Sequence, residues 1–330
     1  MTTARDIVPI SPRLLERLET LGAPTDRVLA RAGLAATTSL STEQFFAFWR
    51  AIEEVSPRSD LGLVVGAEAS ERGYSVASAA ALHAPDLAGA LHTLARYKRL
   101  TCPEVVELEV ARGEAHVRFH WVLATREVPR LLVDSTFASF TSLARRGTAG
   151  AVGPLRIELA RTEGDAEMLR ARLGCPVSFG APVDRITFAE SALAVRFVTA
   201  DAEAFSRVVP GLEAELVGRS RTRSLRDEVR IVIARRMSSG ARPSVDQVAR
   251  RLHVSARTLQ RRLGEERTSY QEELDAVRRA SARRLLANTD LDPIDIAFLL
   301  GFEEPNSFVR AFRGWERTTP TRWRARVARG

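Results

Sequence analysis

Apolar positions recur at helical spacing through the first hundred residues, and the period then shortens to two. Ser11-Pro12 opens a predicted helix with Leu14, Leu15, Leu18 and Leu21 on one side, stopped by Gly22. A shorter helix over 25–31 precedes Gly33. Ser41 and Gln44 have capping-box spacing, each side chain serving the other residue's free backbone N–H. Phe45, Phe46, Trp49, Ile52 and Val55 then form a broad apolar stripe that reads as core. Helices over 61–68 and 86–100 follow, the second carrying Leu87, Leu91 and Leu94.

From Val106 the pattern alternates. Val106, Leu108 and Val110 are separated by Glu107 and Glu109, Arg112-Gly113 turns the chain, and Ala115, Val117, Phe119 and Trp121 interleave with His116, Arg118 and His120. This predicts a β-hairpin with one apolar and one half-exposed polar face. A helix over 129–146, a strand over 155–159, a helix over 165–173 and a strand over 183–188 come next. A helix over 201–217, interrupted at Pro210-Gly211, completes a predicted α+β domain spanning residues 1–217. The polar, basic stretch 218–223 reads as a linker, and residues 224–330 as a separate all-α domain.

That last part contains one layout twice. After a helix from Leu225 to Met237 capped by Ser224, Ser244 and Gln247 make a capping box for a helix with Val245, Val248, Ala249 and Leu252 on one face. His253-Val254 breaks it, and Ser255 caps a second helix that buries Leu259 and Leu263 and turns Arg257, Gln260, Arg261 and Arg262 outward. Ser269 and Glu272 cap a long helix to Asn288. Asp292-Pro293 then starts the second unit, an N-cap followed by the residue suited to the first helical position. Ile296, Ala297, Leu299 and Leu300 supply its apolar face, and Gly301 can end it in the left-handed conformation. Pro305 opens the next helix, with Phe308, Phe312 and Trp315 inward and Asn306, Ser307 and Arg310 outside. A short helix from Thr319-Pro320 carries Trp323 and trails into Arg324, Arg326 and Arg329. Arg can grip guanine through two hydrogen bonds, and Gln or Asn can do the same for adenine. A connecting helix of about 18 residues spans roughly 27 Å, close to the roughly 34 Å between successive major grooves on one face of B-DNA.

Leu252 to Leu263, Ile294 to Phe302, and Ser307-Phe308-Val309-Arg310-Ala311-Phe312 through Thr319-Pro320 closely resemble the AraC/XylS transcription regulators. The resemblance implies a sequence-specific, DNA-binding transcription regulator, activator or repressor, with two helix-turn-helix units joined by one helix. Its base-reading set would be Arg257, Gln260, Arg261, Asn306, Ser307 and Arg310. Pro305 departs from the pattern where the family often has a polar reader. The first part resembles, more loosely, the effector domain of the ornithine-utilisation type, through 86–99, the hairpin and 174–188. Its helical start is unlike the all-β sugar pocket of the arabinose regulator. The expected partners are duplex DNA, a small-molecule effector, a second copy of the chain and RNA polymerase, with no cofactor.

Charge agrees with that division. Residues 221–330 hold 24 Arg against 14 acidic residues, a balance of +10, which leaves 25 basic and 27 acidic residues for the rest, a balance of −2. The basic excess thus lies with the helix-turn-helix pair, as a phosphate-binding surface requires. Lys98 is the sole lysine, so the preference for Arg reflects base composition, but such bias does not move charge between domains. No apolar run is long enough to span a membrane, the N-terminus reads without a signal peptide, and two cysteines make no disulfide framework, which together suggest the cytoplasm.

No catalytic constellation emerges. His116 and His120 share a strand face but lack a third convergent metal ligand. Cys102 and Cys175 each precede proline. A cysteine-dependent DNA-repair methyltransferase with an AraC-like domain is one alternative, although its Pro-Cys-His setting is missing. A ligand-independent dimeric DNA-binding protein is the other. Tyr74, His83, Arg118 and His120 are the candidate effector contacts.

Overall fold

A computed structural model describes residues 8–35, 39–102, 104–121, 127–222, 225–238 and 242–327. The helices of the first hundred residues form where the pattern sets them. α1 (Pro12–Thr20) and α2 (Thr25–Ala32) are followed by Gly22 (φ 84°) and Gly33 (φ 67°) in the left-handed region. Before α1, β1 (Val8–Pro9) pairs antiparallel with β2 (Ser39–Leu40), which follows α2, two strands too short to leave a period in the sequence. α3 (Thr42–Val55) has the expected reciprocal cap, with Gln44 N donating to Ser41 Oγ at 3.2 Å and Ser41 N to Gln44 Oε1 at 2.9 Å. α4 (Leu61–Glu68), α5 (Val76–Leu82) and α6 (Leu87–Tyr97) complete the helical layer, and α6 continues into a tight turn at Lys98–Leu100. α5 was not legible beforehand, because its alanine-rich run has no polar face to set a period.

The hairpin is β3 (Val105–Ala111) and β4 (Glu114–His120), in register from Val105 opposite His120 to Ala111 opposite Glu114. Arg112 (φ 53°) and Gly113 (φ 80°) are both left-handed, the conformation a two-residue hairpin turn needs. α7 (Arg130–Gly147) follows, then β5 (Arg156–Glu158), α8 (Ala166–Leu173), β6 (Val177–Ser178) and β7 (Asp184–Ala189). The sheet order is β3-β4-β7-β5-β6, antiparallel except for β5 and β6, which α8 joins as a parallel crossover. Phe119 faces α7, its ring centroid 5.0 Å from Phe137 and 4.9 Å from Phe140. α7 in turn lies directly on α4. A Cβ at Gly62 would stand 2.3 Å from the Leu131 carbonyl oxygen, and one at Gly66 2.1 Å from that of Ser135.

Two expectations about α9 (Ala202–Thr222) are corrected. The helix runs through Pro210-Gly211 without interruption. Proline removes one backbone donor, but Leu212 and Leu216 beyond it are buried in the core and hold the helix in line. It also continues through 218–222, so most of the expected linker is helical; Arg223 and the expected cap Ser224 lie outside the described residues.

The remainder is all helix: α10 (Leu225–Ser238), α11 (Val245–Arg251), α12 (Ala256–Glu265), α13 (Tyr270–Asn288), α14 (Pro293–Leu299), α15 (Pro305–Glu316) and α16 (Pro320–Val327). Two hydrophobic cores result, one drawn from Val8 to Leu216 and one from Val229 to Trp323. An α+β part followed by an all-α part is therefore the architecture.

Candidate nucleic-acid interface

The helices α11 to α14 each begin at a satisfied side-chain cap, whereas α15 starts at Pro305 behind Glu304, which makes no cap hydrogen bond. Ser244 accepts from Gln247 N at 3.4 Å and Ser255 from Thr258 N at 3.1 Å, while His253 (φ 56°) makes the turn between α11 and α12. Ser269 accepts from Glu272 N at 3.2 Å at the start of α13, and Asp292 from Ile294 N at 2.7 Å at the start of α14. Gly301 (φ 72°) ends α14 as expected.

The second helix of each unit is sharply two-sided. Leu259 and Leu263 of α12 are buried, as are Phe308 and Phe312 of α15. At 100° per residue, Arg257 and Arg261 stand opposite the first pair, and Asn306 and Arg310 opposite the second. All four are exposed, as is Gln260; Ser307 is half-buried at the edge. Arg310 donates to Ser307 Oγ at 3.1 Å, and Arg261 pairs with Glu265 one turn on. The exposed Arg261–Glu265 pair is weak and the Arg310–Ser307 contact is one exposed hydrogen bond, so either guanidinium can turn to another acceptor. Arg313 is also exposed and lies on the outer face with Asn306 and Arg310. The sequence reading passed over it, although its i+3 spacing from Arg310 was a sufficient signal.

α13 holds the two units. Glu273, fully buried in its first turn, accepts from Arg226 Nε at 2.8 Å and Thr268 Oγ1 at 2.6 Å, and also from Arg230, which ties α13 to α10. Arg278 donates to the carbonyls of Leu300 at 3.0 Å and Gly301 at 2.8 Å, with its guanidinium 4.1 Å over the Phe302 ring. Arg324, read from sequence as part of a basic tail, instead donates to the Leu286 and Leu291 carbonyls at 3.2 and 2.5 Å; Arg329 lies outside the described residues. Leu299, expected on the apolar face of α14, is exposed to the gap between the two parts of the chain.

The effector candidates have separate partners. Tyr74 donates to Glu68 Oε2 at 3.1 Å, and burial with that carboxylate pushes its hydroxyl up to about 12. His83 Nδ1 lies 3.3 Å from the Thr199 carbonyl. Arg118 pairs with Glu109, and His120 Nε2 sits 3.3 Å from Glu107 Oε2. The sheet face carrying His116, Arg118 and His120 was expected to be half-exposed throughout. At its His120 end it is instead covered by α10 and α13, and burial holds the His120 imidazole below its ordinary value despite Glu107. No cluster of three or more His, Cys, Asp or Glu among the described residues could hold a metal. Both cysteines are buried. Burial raises Cys102 well above the ordinary thiol value and Cys175 to about 11, the reverse of an activated alkyl acceptor. No helix among the described residues is long and apolar enough to cross a membrane.

Two helix-turn-helix units carried by one connecting helix, behind an α+β part with its own core, define the architecture of a transcription regulator. The family described as arabinose-binding domain of AraC transcription regulator, N-terminal, matches residues 22–197, and a helix-turn-helix domain family matches 248–326. The chain belongs to the AraC family of transcription regulators. It is 42% identical to the ornithine utilization regulator of Pseudomonas aeruginosa over 95 residues, which is 29% of this chain and 27% of that one. The chain thus spans about a quarter of that relative's length. It is 30% identical over 251 residues to the HTH-type transcriptional regulator VirS of Mycobacterium tuberculosis, covering 74% of this chain and 72% of VirS. The crystal structure of the transcriptional regulator CdpR from Pseudomonas aeruginosa is similar with a TM-score of 0.42 and 22% identity, over 93% of this chain and 98% of that one. The family and these relatives are transcription regulators, not enzymes.

Proposed function

We propose that this chain binds duplex DNA sequence-specifically through α12 and α15, under the control of a small molecule that acts on its first part. The observation that carries the reading is the pair of two-sided helices, each with Arg and an amide side chain outward, held on one connecting helix. Arg257, Gln260, Arg261, Asn306, Ser307 and Arg310 form the base-reading set, and Arg313 joins Arg310 as a phosphate or base contact. At 19 residues α13 is about 28 Å long, which suits two recognition helices in successive major grooves of one DNA face. Pro305 starts α15 where a polar side chain would otherwise reach a base, so readout by the second unit rests on Asn306 and Arg310. Residues 1–217 serve as the sensing and dimerising part and 224–330 as the DNA-binding part, in the cytoplasm, with a second copy and RNA polymerase as further partners.

Salt titration tests the DNA reading. Each arginine–phosphate contact releases a counterion, so log affinity should fall against log salt with a slope of about −0.9 per contact. The full chain should lose affinity steeply between about 50 and 200 mM salt. Flat binding over that range would exclude a phosphate-gripping surface.

A further inference from the structure

The sheet end at His120 does not close completely on the helical part. A cavity of about 110 Å³ remains between them. Trp121, Pro182 and Val183 form one wall, and Met237 of α10, Val277 and Leu285 of α13 and Leu299 of α14 form the other. The lining is mostly apolar, but His120 of β4 and Ser281 and Arg284 of α13 also open into it.

Arg284 is unlike the other inward arginines of the helical part. Arg226 and Arg230 pair with Glu273, and Arg278 and Arg324 donate to backbone carbonyls. Arg284 makes no hydrogen bond and no close ion pair among the described residues. Its nearest counter-charge is Asp184, which acts on it only at longer range. That carboxylate is occupied within its own part of the chain, accepting from Ala160 N at 2.8 Å and Trp121 Nε1 at 3.4 Å. Arg284 is half-buried at this wall, and a carboxylate is the acceptor whose two oxygens match the planar fork of a guanidinium left without a partner among the described residues.

We propose that this cavity binds a small organic monocarboxylate, its head on Arg284 and its apolar body between Trp121 and the Val277–Leu299 wall. A space of this size holds about four waters at about 30 Å³ each, which limits the ligand to a short chain of about butyrate's length. A doubly charged phosphate fits poorly, because it would meet one cation, a nearby carboxylate at Asp184 and apolar walls. The proposal rests on the reading of the chain as an effector-controlled DNA-binding protein, and it names the effector class. The bound carboxylate bridges the first part to α13, the helix that carries both helix-turn-helix units, and so couples its own binding to their placement.

Calorimetric titration of the full chain with butyrate, and with butyramide as the uncharged counterpart, tests it. Butyrate should bind saturably, and butyramide about tenfold more weakly or worse. Arg284→Gln should reduce butyrate affinity to that of the amide, and Ala280→Leu, which fills the cavity from α13, should block both. Circular dichroism identifies any variant that fails to fold, and the other variant then carries the test. Absence of butyrate binding at millimolar concentration overturns the proposal, as does undiminished butyrate binding by folded Arg284→Gln and Ala280→Leu. DNA binding by the same preparation is measured separately without carboxylate. A chain that binds DNA but no carboxylate refutes this site alone, whereas one that binds butyrate but no DNA refutes the functional reading.

Discussion

Arg278 Nε donates to the Leu300 carbonyl at 3.0 Å, across the junction between the connecting helix and the turn of the second helix-turn-helix unit. The same guanidinium reaches the Gly301 carbonyl and lies over Phe302, so one side chain fixes α14, its terminating glycine and the packing residue after it. Arg278→Gln should cost about 1.5–3 kcal/mol, the range for hydrogen bonds made by a charged group, measured by urea unfolding. A loss below about 0.5 kcal/mol would mean that the turn is held by other contacts.

Gly62 and Gly66 set the distance between α4 and α7. The atoms a new Cβ would meet are backbone, which cannot swing aside. Gly62→Ala should therefore destabilise the α+β part by about 1–3 kcal/mol, while Gly211→Ala, with open space around it, should be tolerated. Equal thermal stability of the two variants would contradict the close helix contact.

His120 gives stability a pH dependence whose sign follows from its environment. Burial lowers its folded pKa, while Glu107 raises it and Arg284 and Arg118 add to the lowering. The unfolded chain takes up the proton near the ordinary value of about 6.5 and the folded chain only at lower pH. Below about 6.5 the unfolded state then binds more protons, and stability falls with pH until the folded pKa is passed. Unfolding free energies of wild type should drop faster between about pH 7 and 5 than those of His120→Gln; the difference removes the contribution of the buried acids Asp184 and Glu104. Parallel profiles would show that His120 is not held neutral.

The two faces of α15 can be separated by substitution. Phe312→Ala removes a fully buried ring and should cost about 3–5 kcal/mol. Arg310→Ala, on the opposite exposed face, should leave the unfolding midpoint nearly unchanged while weakening DNA binding. An Arg310→Ala protein as unstable as Phe312→Ala would reverse the assignment of faces.

Elements that pair a cap with a period were legible in the sequence. Ser41 with Gln44, Ser244 with Gln247 and Ser269 with Glu272 each start a helix as expected, because cap and helix depend on residues a few positions apart. Arg112-Gly113 likewise announced its turn. Features that depend on distant residues were not legible. Pro210 marks a break by local rules, yet Leu212 and Leu216 anchor α9 through it. The His116–His120 face looked solvated because nothing in β4 tells that α10 and α13 cover it. The exposed set on α12 and α15 followed from helical spacing alone, whereas the roles of Arg278, Arg284 and Arg324 required the tertiary structure to distinguish them from exposed arginines.

The central claim is that α12 and α15 read separate grooves of one duplex. Selection from a randomised DNA library with wild type, Arg261→Ala and Arg310→Ala tests it most directly. Each substitution should cost about 1–3 kcal/mol at its own base pair and relax preference in its own cluster, the clusters lying about one helical turn apart. The double variant should show the sum of the two losses, because the residues share no partner. Relaxation of the same base pairs by both substitutions would contradict the account.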